Sequence, residues 1–100
     1  MDNEQKMLRL LAKIPKGKVT TYKLLAQAMG TRGYRYVGQL LNKNPKPEKY
    51  PCFKVVTSDG KLGGFAYGPA EKTRRLEAEG IQVKEGRIEE FEQRLHRFHS

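Results

Sequence analysis

Thr20-Thr21-Tyr22-Lys23-Leu24-Leu25-Ala26-Gln27-Ala28-Met29-Gly30 runs through Thr31-Arg32-Gly33 into Tyr34-Arg35-Tyr36-Val37-Gly38-Gln39-Leu40-Leu41-Asn42-Lys43. The first part reads as a helix opened by a threonine cap, with apolar positions at Tyr22, Leu24, Leu25, Ala28 and Met29. Gly30 sits where a helix-terminating glycine adopts a left-handed conformation. A further helix follows from about Tyr34 to Lys43, carrying Val37, Leu40 and Leu41. Two short helices around a tight glycine-containing turn read as a helix-turn-helix, or as an ordinary helical hairpin inside a small bundle.

Toward the N-terminus, Met7, Leu8, Leu10, Leu11 and Ile14 fall at helical spacing, predicting a helix over 3–14 with Asp2 or Asn3 as its cap. Pro15 ends it and Gly17 supplies a turn. Toward the C-terminus, Asn44-Pro45-Lys46-Pro47 is a stiff bend, because proline lacks an N–H and crowds the preceding turn. Phe53-Lys54-Val55-Val56-Thr57 then reads as a strand. The glycine-rich loop Gly63–Gly68 lacks the Gly-Lys-Ser/Thr ending of a phosphate-binding loop, so it gives no reason to expect a nucleoside triphosphate. Pro69 or Ala70 opens a helix reaching Glu79, with Gly80 as the stop. Ile81-Gln82-Val83 alternates as a strand does, with Arg87-Ile88 as its neighbour. Residues 89–98 are predicted as a last helix with Phe91, Leu95 and Phe98 on one face, leaving His96 and His99 at the surface. The expected fold is mainly α with short strands: a small helical domain built on a winged-helix-like helix-turn-helix, spanning residues 1–100.

Twenty Lys and Arg against 11 Asp and Glu give a net charge of +9. Such a balance favours a polyanionic partner, most simply nucleic acid, and tips the hairpin toward a DNA-binding reading. No apolar run approaches the roughly 18 residues of a membrane span. The polar start Met1-Asp2-Asn3-Glu4 is no secretory signal, so an intracellular location, cytoplasmic or nuclear in a eukaryote, is expected. Cys52 is the sole cysteine, which excludes an internal disulfide and a thiolate metal cluster. It is either inert packing or a nucleophile. No metal and no cofactor are expected.

Four landmarks then fall in order: Ile14-Pro15-Lys16-Gly17-Lys18-Val19-Thr20-Thr21-Tyr22, Arg35-Tyr36-Val37-Gly38, Asn44-Pro45, and Pro51-Cys52 followed by Val55. Together they resemble the active-site domain of the O6-alkylguanine-DNA alkyltransferases, over about Lys6 to Gly80. The resemblance implies double-stranded DNA carrying O6-alkylguanine as partner, with other DNA repair proteins beyond it, and a monomer. It implies that the second helix of the motif enters the minor groove and that the lesion is flipped out, since a thiol cannot reach an alkyl group on a stacked base. By the same resemblance Arg35 replaces the extruded nucleotide, and Tyr22, Tyr36, Gly38, Gln39 and Asn42 face the DNA. Tyr22, Asn44, Pro47, Val55, Phe65 and Ala66 would form the alkylguanine pocket, with Asn44-Pro45 as a hinge. Backbone carbonyls of Cys52 and Val55 would accept the exocyclic amine, and the Ala66 N–H would face the guanine oxygen. Cys52 would take the alkyl group once, and Glu79 matches a catalytic glutamate.

One departure stands out. The family motif reads Pro-Cys-His-Arg-Val, whereas here Phe53 and Lys54 follow Cys52. Phenylalanine cannot relay the thiol proton toward Glu79, which leaves Lys54 or a helix N-terminus to activate the thiol. Two functions stay open on the resemblance: transfer to Cys52, or lesion binding without transfer, as in alkyltransferase-like proteins that pass damage to excision repair. A basic helix-turn-helix regulator is a third, though it leaves Pro51-Cys52 and the glycine loop unexplained.

Overall fold

A computed structural model describes residues 2–31, 33–44, 49–65 and 67–98. Helix α1 spans Asn3–Ala12, capped by Asp2, whose carboxylate accepts the Gln5 N–H at 2.8 Å. It stops two residues short of Ile14, because the residue before a proline is driven out of the helical region. Ile14 is still buried, now from the turn.

The threonine pair is divided. Thr20 and Thr21 form strand β1, and the Thr21 hydroxyl also accepts the Leu24 N–H at 3.0 Å to cap helix α2, Tyr22–Met29. Its buried side is Leu25, Ala26 and Met29, so Leu25 and Met29 fall as expected, while Ala28 faces solvent and Ala26 is buried in its stead. Gly30 ends α2 at φ 79°, as the αL terminator requires. Helix α3, Tyr34–Asn42, packs on α2 through buried Val37, Leu40 and Leu41. The pair is the predicted helix-turn-helix.

Residues 53–57 are not one strand. Cys52–Lys54 is a turn of 3-10 helix, closed by the Lys54 N–H on the Pro51 carbonyl at 3.1 Å, and only Val55–Val56 forms strand β2. β2 pairs parallel with β1, Thr20 opposite Val55 and Thr21 opposite Val56. This turn sits on the seam between two cores. Cys52 and Val55 belong to the core of α1, α2 and α3. Phe53 points the other way, into a second core with Val19, Val56, Leu62, Leu76, Ile81 and Ile88.

Helix α4, Pro69–Ala78, begins on the predicted proline and supplies Leu76 to the second core. β3 (Val83–Lys84) and β4 (Arg87–Ile88) form the antiparallel hairpin; β3 begins two residues later than expected because Ile81 closes α4, its N–H on the Leu76 carbonyl, while β4 lies where expected. The predicted terminal helix shrinks to α5, Phe91–Arg94. Leu95 leaves it to bridge Val19, with the Val19 N–H on the Arg94 carbonyl at 2.8 Å and the His96 N–H on the Val19 carbonyl at 2.6 Å. Phe91 therefore joins the second core and Phe98 the first, and the single apolar face does not form. His96 is half-buried and meets Phe98 edge-on, ring centroids 4.9 Å apart, rather than lying free at the surface. Among the described residues no helix is long and apolar enough to cross a membrane.

Candidate active site

The seam opens into a cavity of about 510 Å³. Six of the residues singled out from the sequence line it: Tyr22 from α2, Arg35, Gly38 and Asn42 from α3, Cys52 from the 3-10 turn, and Phe65 from the glycine loop. They lie as far as 43 positions apart in sequence, Tyr22 against Phe65. Cys52 is 8% exposed, so its sulfur is reached through this cavity and not from open solvent.

The other candidates sit elsewhere. Tyr36 and Gln39 are exposed on α3 outside the cavity, and the Tyr36 hydroxyl accepts from Asn3 at 3.4 Å. Asn44 lies behind the wall: its side-chain amide donates to the Tyr50 carbonyl at 2.6 Å, and the Cys52 N–H donates to the same oxygen at 2.7 Å. Asn44 thus ties the end of α3 to the thiol turn. Val55 is fully buried in the β1–β2 ladder, and its carbonyl accepts from Lys72 at 2.7 Å. Glu79 is not on the cavity wall; its carboxylate pairs with Lys54 at 2.6 Å and accepts the Gly17 N–H at 3.1 Å. Pro47 and Ala66 lie outside the described residues.

Several wall residues escaped the sequence reading, among them Lys23, Leu41, Thr57 and Ser58. Lys23 follows Tyr22 on an α2 face that is exposed, a signal carried by helical position alone. Lys23 and Arg35, both exposed, add two cations to the cavity lining.

Lys72 was also missed. It is completely buried, and its ammonium donates to the carbonyls of Val55, Leu62 and Gly64. Burial pushes this ammonium down to about 8, partly opposed by the nearby Cys52 sulfur. The acceptors lie in β2 (Val55), just before the glycine loop (Leu62) and within it (Gly64), so one cation ties that loop to β2. The Tyr22 phenol donates to the Gly64 carbonyl at 3.4 Å. Burial chiefly pushes its pKa above the ordinary 10.0, which keeps it protonated and a donor at neutral pH. The outer part of the loop is held by Arg75, whose guanidinium lies 5.5 Å from the Phe65 ring and 5.2 Å from the Tyr67 ring and is anchored on Glu71 at 2.7 Å. Phe65 is therefore both wall and packing, half-buried against both cores.

The pattern described as the DNA binding domain of 6-O-methylguanine DNA methyltransferase matches residues 2–81. The chain belongs to this family. The bifunctional methyltransferase/endonuclease of Picrophilus torridus is 46% identical over 92 residues, covering 91% of this chain and 31% of that protein. The methylated-DNA–protein-cysteine methyltransferase of Pyrobaculum aerophilum is 46% identical over 80 residues, 80% of this chain and 53% of that one. The chain thus spans about a third to a half of these relatives. Among solved structures, S. pombe Atl1 in complex with damaged DNA containing O6-carboxymethylguanine superposes with a TM-score of 0.82 at 27% identity, covering 96% of this chain and 95% of that one.

Gly63 tests how tightly the family pocket is built. It holds φ at 71°, and a Cβ there would lie 3.0 Å from the Tyr22 hydroxyl and 3.1 Å from its ring. Gly63→Ala is expected to lose about 2 kcal/mol from the left-handed backbone alone, visible as a lower thermal midpoint. It should also displace Tyr22 from the cavity wall. An unchanged thermal midpoint would show that the loop absorbs the added Cβ.

Proposed function

We propose that this chain binds duplex DNA with α3 in the minor groove, extrudes an O6-alkylated guanine into the cavity, and takes the alkyl group onto the sulfur of Cys52. The observation that carries the reading is the position of the sole thiol, on the wall of a cavity of about 510 Å³ that Lys23 and Arg35 also line. A pocket of this size accepts a base-sized ligand with its substituent. Arg35 fills the gap left in the base stack, and Tyr22 and Phe65 flank the extruded base. Gly38 keeps the contact face of α3 slim: no atom lies within 4 Å of where a Cβ would stand.

In the transfer the Cys52 thiolate attacks the alkyl carbon. A sulfur–carbon bond forms and the O6–carbon bond breaks. The electron pair stays with the guanine, which picks up a proton and becomes an ordinary base. Nothing reverses the thioether, so each molecule reacts once.

Phe53 favours a second reading, binding without transfer. In the family motif this position carries the relay histidine, and here the side chain is buried in the second core. Intact-protein mass spectrometry after incubation with a duplex carrying one O6-methylguanine separates the two, with Cys52→Ala as control. A gain of one methyl group, absent from the control, supports transfer. No gain, together with lesion-selective gel retardation, makes the chain a damage-recognition module that passes lesions to other repair proteins. With DNA as substrate, it acts in whichever compartment holds the DNA.

A further inference from the structure

We propose that Lys54 and Glu79 form a charged latch that positions the thiol turn against the lead-in to the helix-turn-helix, and that Glu79 takes no part in moving the thiol proton. The inference rests on the reading of Cys52 as the alkyl acceptor.

Four observations carry it. The Lys54 side chain is 4% exposed and that of Glu79 21%, and their charged atoms stand 2.6 Å apart. The Lys54 ammonium also donates to the Pro15 carbonyl at 3.1 Å. The same Glu79 oxygen that meets Lys54 accepts the Gly17 N–H at 3.1 Å. Finally Phe53, the residue between Cys52 and Lys54, is packed into the second core and offers no atom that can carry a proton.

Glu79 is thus occupied on one oxygen by two donors, and Phe53, which takes the place of the family's relay histidine, is packed away in the second core. Accepting the thiol proton there would break a mostly buried ion pair and strand the Lys54 charge, which is costly in a low-dielectric site. What the pair does join is structural. Lys54 is the last residue of the 3-10 turn that begins at Cys52. Pro15 and Gly17 form the turn leading to Val19, β1 and the cavity residue Tyr22. Glu79 is the C-cap of α4. The β1–β2 ladder joining these parts is only two residue pairs long. The latch supplies a second tie just before β2, so that the thiol and the Tyr22 side of the cavity are held as one unit. Displacing a reacting atom by about 1 Å can cost on the order of 100-fold in rate, so such a tie acts on chemistry without touching substrate.

The test compares wild type, Glu79→Gln, Lys54→Met and Lys54→Arg by three readouts. These are the thermal midpoint, the pH profile of Cys52 alkylation by iodoacetamide without DNA, and the methyl-transfer rate at saturating lesion duplex. Glu79→Gln and Lys54→Met are expected to lower the thermal midpoint. Both should also slow transfer about tenfold. Lys54→Arg, which keeps the charge, is expected to restore both properties. The midpoint of the iodoacetamide profile should be the same in Glu79→Gln as in wild type. A profile displaced to higher pH in Glu79→Gln, or no recovery in Lys54→Arg, overturns the latch. If wild type takes no methyl group, the transfer reading fails by itself. The latch is then judged by the thermal midpoint and iodoacetamide profile, which need no DNA.

Discussion

Replacing Lys72 with methionine is expected to lower the stability of the protein by about 3 kcal/mol, a fall in thermal midpoint on the order of 15 °C for a chain of this size. Three carbonyls, of Val55, Leu62 and Gly64, lose their shared donor. Each buried acceptor left without a partner costs roughly 1–3 kcal/mol. Against this, methionine removes a charge whose burial is itself unfavourable. Displacement of the lysine from 10.5 to about 8 corresponds to roughly 3 kcal/mol. The orphaned carbonyls outweigh that gain.

The pH dependence separates the two terms. The folded-state value of Lys72 is depressed, so below about pH 8 the ammonium is charged in folded and unfolded chains alike and the burial penalty is present in full. Between about 8 and the ordinary 10.5 the folded chain releases the proton while the unfolded chain keeps it, and the penalty is progressively relieved. The stability gap between wild type and Lys72→Met should therefore widen from pH 7 to pH 9.5. Urea denaturation at both pH values measures it, and a gap that narrows would show that the lysine is not held as a buried cation.

Arg35→Ala is expected to weaken binding to a duplex carrying O6-methylguanine by about 2 kcal/mol, roughly 30-fold. Arg35 is exposed near the start of α3 and also lines the cavity; in the proposed reading its side chain takes the place of the extruded nucleotide. Unstacking and unpairing a base costs a few kcal/mol, and a side chain occupying the vacancy recovers part of it. Lys6, on the exposed face of α1, gives the comparison. Lys6→Ala should cost only the share of one peripheral phosphate contact and reduce the salt dependence slightly. Titrations of both variants by fluorescence anisotropy at two salt concentrations decide the matter; equal losses would remove the plugging role from Arg35.

Local chemistry made much of the molecule legible. Thr21, Gly30 and Pro69 have capping preferences that act within one helical turn, and each marks a helix end in the fold as expected. The apolar spacing of Val37, Leu40 and Leu41 likewise gave α3 its buried face. Order along the chain was enough to bring out the family, because its landmarks are short motifs that fall in a fixed order. The shorter elements were not legible. The 3-10 turn at Cys52, the two-residue strands and the one-turn helix α5 are too brief to carry a period, and their form is set by partners distant in sequence. Leu95 leaves the helical path because Val19 offers it a strand partner, 76 positions away.

The site divides in the same way. A lone cysteine behind a proline is visible in one dimension, and so is the basic charge of the chain. That Phe53 turns into a core of its own, that Lys54 reaches Glu79, and that Lys72 gathers three carbonyls are facts of contact between segments. Side chains of identical type elsewhere in the chain, such as Lys6 or Lys61, remain solvated. Burial, not residue identity, turns a lysine into a structural cation, and burial exists only once the two cores have closed on each other.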